Sequence, residues 1–138
     1  MINRRLLVYN GLIAAIFTVA SCNTHDANDY YDQDKYILLT SEVEETGSRR
    51  ETYGFENNRR YTFVKVYWPE GKIMRESFMK DNLLHGLSKT YTPEGKLDLS
   101  IQFKDDLKDG KFIAYDEKGK VKNCEIYKKG KLTGEACK

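Results

Sequence analysis

Histidine, cysteine and proline are scarce in this sequence, which limits the chemistry that the chain can perform. The 138 residues include two histidines, three cysteines and two prolines. No His, Cys or carboxylate cluster has metal-ligand spacing, and His85 falls in a predicted surface turn. No serine has the G-x-S-x-G context of a nucleophile, and no glycine-rich loop has the spacing of a phosphate-binding motif. We therefore predict no catalytic residue, no metal site and no cofactor, and we do not expect an enzyme.

Long apolar runs are also absent, except near the start of the chain. Residues 6–20 are mostly apolar and follow two arginines, which is the pattern of an export signal. The run is too short for a comfortable membrane span, which needs about 20 predominantly apolar residues. It ends in Val19-Ala20-Ser21-Cys22, which resembles the lipobox of bacterial lipoproteins. We predict that residues 1–21 are a signal peptide and that Cys22 is the lipid attachment site. The alternative is an ordinary secretory signal with an incidental cysteine.

Neither charge is in excess once the predicted signal is removed. The whole chain has 23 basic and 21 acidic residues, and loss of the two arginines in the signal leaves 21 of each. Nucleic-acid binding depends on clustered Lys and Arg, so we expect no nucleic-acid partner. Residues 22–35 are polar and acidic, without large aliphatic side chains. We predict that they form a flexible tether to a folded domain at residues 36–138.

From Tyr67 to the end, the sequence repeats with a period of 24 residues and no gaps, in segments 67–90, 91–114 and 115–138. Each repeat begins with tyrosine, has a Gly-Lys pair four residues later and has a second glycine near its end. The residues that share these positions are Tyr67, Tyr91 and Tyr115; Gly71, Gly95 and Gly119; and Gly86, Gly110 and Gly134. Such a period indicates a repeat architecture. Residues 43–66 keep Gly47 in the first glycine position but have Thr62 in the second, and we interpret them as a degenerate repeat that caps the array.

Each repeat predicts two short strands. Leu97, Leu99, Ile101 and Phe103 alternate with polar residues, which is the period of two expected when one face of a strand lies on a core. Turn residues flank this strand, and Asp, Asn and Gly tolerate the left-handed backbone of hairpin loops. The predicted turns are Pro93-Glu94-Gly95-Lys96 on one side, and Asp81-Asn82, Asp105-Asp106 and Lys129-Gly130 on the other. We predict an all-β antiparallel meander.

The repeat resembles the MORN-type repeat. Its pattern is Tyr-x-x-x-Gly-Lys-aliphatic, then an aromatic residue and lysine before the hairpin loop, then glycine. It is closest to the bacterial variant found in proteins labelled YwqK-like antitoxins, and the resemblance covers residues 67–138 and, weakly, 43–66. It implies antiparallel β-hairpins stacked into one elongated, twisted single sheet. Such repeats serve as scaffolds in unrelated proteins, so the resemblance indicates the fold and is nearly silent on function.

The aromatic residues are candidates for partner binding. Tyr67, Tyr91 and Tyr115 are predicted to stack as a ladder along the sheet, with Trp68 at its start. Such a ladder either braces neighbouring strands or presents aromatic rings to a partner. A single sheet cannot bury both of its faces, so some apolar surface has to be covered. We expect the segment Tyr36-Ile37-Leu38-Leu39 to fold back over part of it.

The remaining cysteines, Cys124 and Cys137, are candidates for a disulfide because export leads to an oxidising compartment. The last hairpin loop decides their register. A loop at Gly130-Lys131 makes them direct partners, whereas a loop at Lys129-Gly130, the stronger turn signal, makes them diagonal neighbours. The alternative is two unpaired thiols. A bridge would staple the last strand, which otherwise has a neighbour on one side only.

Together these features predict a non-enzymatic interaction scaffold anchored in the bacterial cell envelope, with the outer membrane favoured over the inner membrane. Its predicted contacts are the membrane, through the N-terminal lipid, and a protein or envelope polymer bound by the repeat sheet. The alternative is an immunity or antitoxin-like protein that neutralises a toxin acting in the envelope. That alternative depends only on the labels of similar proteins.

Overall fold

The structure is a computed structural model that describes residues 35–55 and 58–137. The predicted signal peptide, Cys22 and residues 23–34 of the predicted tether lie outside the described residues. Within them there are nine strands and no α-helix. The strands are β1 (Ile37–Val43), β2 (Arg49–Phe55), β3 (Asn58–Tyr67), β4 (Ile73–Lys80), β5 (Leu83–Tyr91), β6 (Leu97–Lys104), β7 (Leu107–Tyr115), β8 (Val121–Lys128) and β9 (Lys131–Leu132). No described helix is long and apolar enough to cross a membrane.

All nine strands form one open sheet in chain order, from β1 at one edge to β9 at the other. Each strand pairs antiparallel with the next. Sequential hairpins need only short connections, and the repeated turn residues supply them. The predicted all-β meander of hairpins in a single sheet is therefore confirmed.

Five-residue turns connect the strands at one end of the sheet and share the same two hydrogen bonds. In the turn that begins at Trp68, its amide donates to the Lys72 carbonyl (2.8 Å), and the Gly71 amide donates to the Trp68 carbonyl (2.8 Å). The turns that begin at Thr92 and Asp116 repeat this pair of bonds. So does the turn that begins at Glu44, within the segment predicted to be a degenerate repeat. The same turn structure therefore recurs every 24 residues.

Two-residue loops connect the strands at the other end of the sheet. Their residues have the left-handed backbone that the sequence predicts, with φ between 48° and 78° at Asp81-Asn82, Asp105-Asp106 and Lys129-Gly130. One amide in each loop donates to a carbonyl of the preceding hairpin. The three bonds are Asp81 N to Arg60 O (2.6 Å), Asp106 N to Leu84 O (2.9 Å) and Gly130 N to Lys108 O (2.8 Å). Each loop is thus attached to the hairpin before it by a backbone hydrogen bond.

The register shifts within these hairpins by the same amount. Phe103 pairs with Lys108 near the loop, but Ile101 pairs with Phe112, so the second strand has extra residues around Gly110. The hairpin of β4 and β5 shifts in the same way, between the pairs Met79–Leu84 and Ser77–Ser88. Extra residues in one strand of an antiparallel pair form a β-bulge. The second glycine of the repeat therefore marks a bulge.

The core lies in the N-terminal half of the sheet. It consists of Tyr36, Phe55, Phe63 and Phe78, with Tyr53, Tyr61 and Leu87 packed against it. The ring centroids of Tyr36 and Phe55 are 4.7 Å apart, as are those of Phe63 and Phe78, within the range of favourable aromatic pairs. Phe63 is only 2% exposed. This cluster is the main source of apolar burial in the described chain.

The expectation that Tyr36-Ile37-Leu38-Leu39 covers the sheet is wrong for most of the segment. Tyr36 is buried, but Ile37 and Leu38 begin edge strand β1 and remain exposed. The physical reason is that β2 offers a row of backbone groups, and pairing with them satisfies the amides and carbonyls of the segment. The segment lengthens the sheet instead of covering it.

Candidate binding face

One face of the sheet carries a row of alternating charges, and we call it the charged face. In the register of β2 to β5, Glu51 lies opposite Lys65, Lys65 opposite Glu76, and Glu76 opposite Lys89. Opposite charges on directly paired residues stabilise a sheet, by about 0.2–1 kcal/mol per pair. The aromatic core lies on this same face, because Tyr53, Phe63 and Phe78 are paired in the adjacent row.

Tyr67 and Tyr91 donate hydrogen bonds to the carboxylates of this charged row. The hydroxyl of Tyr67 donates to Glu51 (2.7 Å), and the hydroxyl of Tyr91 donates to Glu76 (2.8 Å). Burial raises the pKa of both tyrosines well above its ordinary value, and the hydrogen bonds to the carboxylates raise it further. Both hydroxyls therefore stay neutral and are occupied inside the protein. Their contacts explain a structural role and leave the predicted partner-binding role untested.

Glu51 is the most heavily engaged acid of the row. It accepts hydrogen bonds from Tyr53 (2.5 Å) and Tyr67, and its other carboxylate oxygen lies 3.2 Å from Arg49 Nε. The Arg49 guanidinium also lies 4.4 Å from the Tyr67 ring centroid. The hydrogen bond from Tyr53 lowers the pKa of Glu51, and Tyr67 and Arg49 act in the same direction against partial burial. The cluster holds the ends of β2 and β3 together.

The predicted stacking of Tyr67, Tyr91 and Tyr115 is wrong. They end strands β3, β5 and β7, so another strand lies between successive tyrosines. Two strand spacings are about 10 Å, whereas aromatic pairs have centroids about 4.5–7 Å apart. No ring contact joins the three within residues 35–55 and 58–137. Trp68 follows Tyr67 and is half-buried, and its indole Nε1 is buried without a hydrogen-bond partner among the residues that the structure describes.

On the opposite face, one row of paired residues shows how burial changes along the sheet. The row runs through Val64, Ser77, Ser88, Ile101 and Phe112. Val64 and the two serines are buried, and the serine hydroxyls hydrogen-bond to each other at 2.8 Å. Ile101 and Phe112 are only half-buried. The face is therefore closed around β3 to β5 and open beyond them.

We call the open part of this face the apolar strip. It comprises residues of β6, β7 and β8 that share the face, namely Leu99, Ile101, Phe103, Phe112, Ala114 and Tyr127. All six are half-buried, and no residue from 89 to 137 is buried. The predicted alternation of β6 is present, but its apolar side lies on an open face instead of a core.

A lysine and two aromatic rings form the most distinctive part of the apolar strip. Phe112 and Tyr127 meet edge to face with centroids 6.3 Å apart. Lys108 Nζ lies 4.6 Å from each of the two centroids, within the range of a cation–π contact. The Tyr127 hydroxyl donates to Glu125 (2.9 Å), a bond that raises the pKa of Tyr127 and lowers that of Glu125. The strip thus combines apolar surface with fixed charges at its border.

The prediction that His85 lies in a surface turn is wrong, because the loop contains only Asp81 and Asn82 and His85 lies half-buried in strand β5. Its Nδ1 lies 3.0 Å from an oxygen of Asp105, in the loop of the next hairpin. Asp109 occupies the same repeat position one period later and bonds Lys128 and the Lys129 amide in the next loop. Among the described residues, no group of three or more His, Cys, Asp or Glu is arranged to hold a metal ion.

The structure joins Cys124 and Cys137 by a disulfide, with Cα atoms 5.9 Å apart. The loop is Lys129-Gly130, because Tyr127 pairs with Leu132 and Lys128 with Lys131. One period upstream, the equivalents of the cysteines are Ser100 and Ile113, which are direct partners beyond the bulge. Gly134 occupies the bulge position of this last hairpin. Neither of the two predicted loop positions took the register shift at this bulge into account. Without the shift, a loop at Lys129-Gly130 would place the cysteines diagonally, and with it they become direct partners.

Three segments of the chain match the family model of the MORN repeat variant: residues 64–81, 84–105 and 108–129. Each match covers the strands on both sides of a five-residue turn, in β3–β4, β5–β6 and β7–β8. This confirms the resemblance to MORN-type repeats for three repeats. No curated protein and no solved structure matches the chain.

Proposed function

We propose that this protein is a lipid-anchored binding scaffold of the bacterial cell envelope, and that its partner covers the apolar strip. The starting point is the three MORN-variant repeats, a repeat type that is typically non-catalytic and suggests a binding scaffold. The proposal adds the anchor, the compartment and the binding face. The observation that carries it is that no residue from 89 to 137 is buried, although this part of the sheet has an apolar side.

The apolar strip has the chemistry of a binding surface. Burying a large aliphatic or aromatic side chain contributes about 1.5–3 kcal/mol, so even partial covering of several such residues supports stable association. The rings of Phe112 and Tyr127 suit packing against protein side chains or the faces of sugar rings, and Lys108 adds a positive charge beside them. A protein or an envelope polymer both fit these features.

The internal contacts of the charged face favour the opposite face as the binding surface. Tyr67 is hydrogen-bonded to Glu51 and Tyr91 to Glu76, so binding on the charged face would have to break internal hydrogen bonds. Broken bonds of buried polar groups are unfavourable, by about 1–3 kcal/mol each. The aliphatic side chains and the Phe103 and Phe112 rings of the apolar strip have no hydrogen bonds to lose when a partner covers them.

Co-purification from native membranes tests the proposed face. Full-length tagged protein is compared with Ile101→Lys, which puts a charge into the apolar strip, and with Lys104→Ala, which alters an exposed side chain of the same strand. The partner should co-purify with wild type and Lys104→Ala and be at least fivefold depleted with Ile101→Lys. Equal recovery with all three proteins, at equal folding by circular dichroism, would contradict binding through the strip.

An immunity or antitoxin-like role is the second candidate, and it differs in the identity of the partner. An exported protein meets only toxins that act in or beyond the membrane. A toxin gene beside this one, together with protection of cells by wild type but not by Ile101→Lys, would support that role.

A further inference from the structure

The two edges of the sheet differ in how they are protected from pairing with another strand. At the C-terminal edge, β9 covers the end of β8, and the disulfide holds the following residues beside it. This edge also carries Lys122, Lys128 and Lys131. Short edge strands and edge lysines are devices that prevent strand addition. The C-terminal edge is therefore closed to further strands.

The N-terminal edge strand lacks both of these devices, and its only irregularity is a register shift between Leu38 and Thr40. Strand β1 is seven residues long and contains no lysine, arginine or proline. Ile37, Leu38 and Val43 are 47%, 53% and 71% exposed. An edge strand without lysine or proline offers its outward-facing backbone groups as a template for pairing with another chain. Among the strands of residues 35–55 and 58–137, this contrast indicates that β1 is the edge available for an added strand.

The register of β1 and β2 identifies the backbone groups that face outward. The Glu44 amide donates to the Ser48 carbonyl, and hydrogen-bonded pairs alternate along an antiparallel ladder. The pairs Glu42–Arg50 and Thr40–Thr52 are therefore hydrogen-bonded. Ser41 and Val43 alternate with Thr40 and Glu42 along the strand. Their amides and carbonyls therefore point away from β2. An added strand must bond to these two residues.

We propose that the N-terminal edge pairs with β1 of a second copy of this chain, antiparallel, with Ser41 opposite Ser41 of the second copy. A two-fold pairing joins outward-facing residues in three possible registers: Ser41 with Ser41, Ser41 with Val43, or Val43 with Val43, the last of which places Glu42 opposite Glu44 of the second copy. The second register places Glu42 opposite Glu42 of the second copy, and like charges in direct opposition are destabilising. The first places Glu42 opposite Thr40 and Val43 opposite Leu39, so it is the favoured register.

A second copy fits this edge better than an unrelated strand, for a reason that rests on the proposed lipid anchor. Residues 22–35, which connect the proposed anchor to Tyr36, number 14 and reach at most about 50 Å when extended. Anchored copies therefore present the same edge at similar heights above one membrane surface, where they are concentrated. The two-fold pairing uses the same patch on both copies. Because the C-terminal edges are closed, the assembly stops at two chains.

Cysteine crosslinking in native membranes tests the pairing. Ser41→Cys, Thr40→Cys and Glu42→Cys are each introduced into the full-length protein and oxidised in place. Directly paired residues have Cα atoms about 4.5–5.5 Å apart, within the range that a disulfide spans. Ser41→Cys should give a disulfide-linked dimer with at least tenfold higher yield than Thr40→Cys or Glu42→Cys, whose like residues are not opposite each other. Equal yields from the three positions, or no dimer from Ser41→Cys, would overturn the pairing.

A substitution on the same edge provides an independent measurement. Val43→Lys adds a charge to an exposed side chain of β1 and should convert the dimer to a monomer in analytical ultracentrifugation of detergent-solubilised protein. Its melting temperature in dilute, monomeric samples should match wild type. A dimer that persists in Val43→Lys would contradict the pairing. Membrane fractionation tests the anchor separately. If the protein is membrane-bound but Ser41→Cys gives no dimer, only the pairing is overturned. If the dimer forms in a protein found outside the membrane, only the anchor is overturned.

Discussion

The two glycines of one repeat differ in what surrounds them, as Gly95 and Gly110 of segment 91–114 show. Both have positive φ, +89° and +122°, a region that side chains rarely adopt. A Cβ on Gly95 would have only Lys72 Cδ nearby, at 3.9 Å. A Cβ on Gly110 would lie 2.9 Å from Gln102 Cβ, so something would have to shift. Gly95 is constrained by its backbone alone, and Gly110 by its backbone and its neighbour.

Valine substitutions at these positions should therefore differ in effect. Gly95→Val should lower the free energy of unfolding by about 1–2 kcal/mol through backbone strain. Gly110→Val should lower it by about 2–3 kcal/mol, because strain and overpacking add. Denaturant unfolding of the two variants measures the difference. Gly95→Asn is the control and should lie near wild type, since asparagine tolerates this backbone. Variants that both melt like wild type would sink the proposed role of the repeat glycines.

Glu51 makes the stability of the protein depend on pH. Its pKa is lowered from the ordinary value of 4.5, mainly by the hydrogen bond from Tyr53. A lowered pKa contributes stability above the pKa of the unfolded chain, and the contribution is lost as the pH falls through the folded-state value. Wild type should therefore lose stability below pH 4.5 more steeply than Glu51→Gln. Melting temperatures from pH 6 to pH 3 measure this, with the exposed turn residue Glu70→Gln as control. Parallel curves for wild type and Glu51→Gln would contradict it.

At the scale of elements, the repeated hairpin explains how the cysteines meet. The loop, the bulge and the pairing beyond it recur with the 24-residue period, so Cys124 and Cys137 occupy positions that are already direct partners in the preceding hairpin. Strand β9 ends at Leu132, and the residues that follow are not in a strand. The disulfide therefore attaches these residues to β8 where strand hydrogen bonds would do so in a regular hairpin. It holds an irregular tail at the position of a regular strand.

Removing the disulfide should destabilise the last hairpin and little else. Each repeat of an array contacts mainly its neighbours, so the effect of Cys124→Ser with Cys137→Ser should stay local. Closing a loop of this size contributes about 3 kcal/mol. Hydrogen exchange should become faster in β8, with amides of β3 and β4 unchanged. Labelling of the denatured, non-reduced mature protein is the direct check: two reactive thiols per chain would end the disulfide assignment.

Much of the element pattern is predictable from the sequence because turns have local causes. Asp, Asn and Gly recur where the backbone is left-handed, and the 24-residue period places every turn from Gly71 to Gly130. Pairing with a neighbour is not local. Strand β1 lies outside the 24-residue repeats, and it forms because β2 offers an edge to pair with. The bulge at Gly110 can be recognised only when the two strands of the hairpin are aligned. The tyrosine positions show repetition, but repetition along the chain does not give the distance between alternate strands.

At the scale of the whole molecule, burial decreases along the array. The core cluster ends at Phe78, the last buried residue is Ser88, and the repeats beyond it keep their apolar side half-exposed. The sequence could not show this gradient, since Leu99, Ile101 and Phe103 alternate like core residues. Whether such a face is covered depends on a second layer, and the described chain has none over β6 to β8. The open end is the part of the protein that fits a partner.

The proposed anchor lies at the opposite end of the chain from the open repeats. Cys22→Ala should abolish lipidation, and the protein should leave the membrane fraction or accumulate as an uncleaved precursor. Detergent phase partitioning with a mass measurement distinguishes these forms. Ser21→Ala, which keeps a small residue before the cysteine, is the control and should partition like wild type. An alanine variant at Cys22 that is processed and still partitions into detergent would contradict the lipoprotein assignment.

Photo-crosslinking in living cells tests binding through the apolar strip most directly. A benzoylphenylalanine placed at Phe112 replaces one aromatic ring of the strip with another, and the same residue at Lys111 projects from the charged face of the same strand. Illumination should give a discrete adduct from position 112, at least fivefold stronger than from position 111. Adducts of equal strength from the two positions, or an adduct from position 111 alone, would contradict the apolar strip as the binding face.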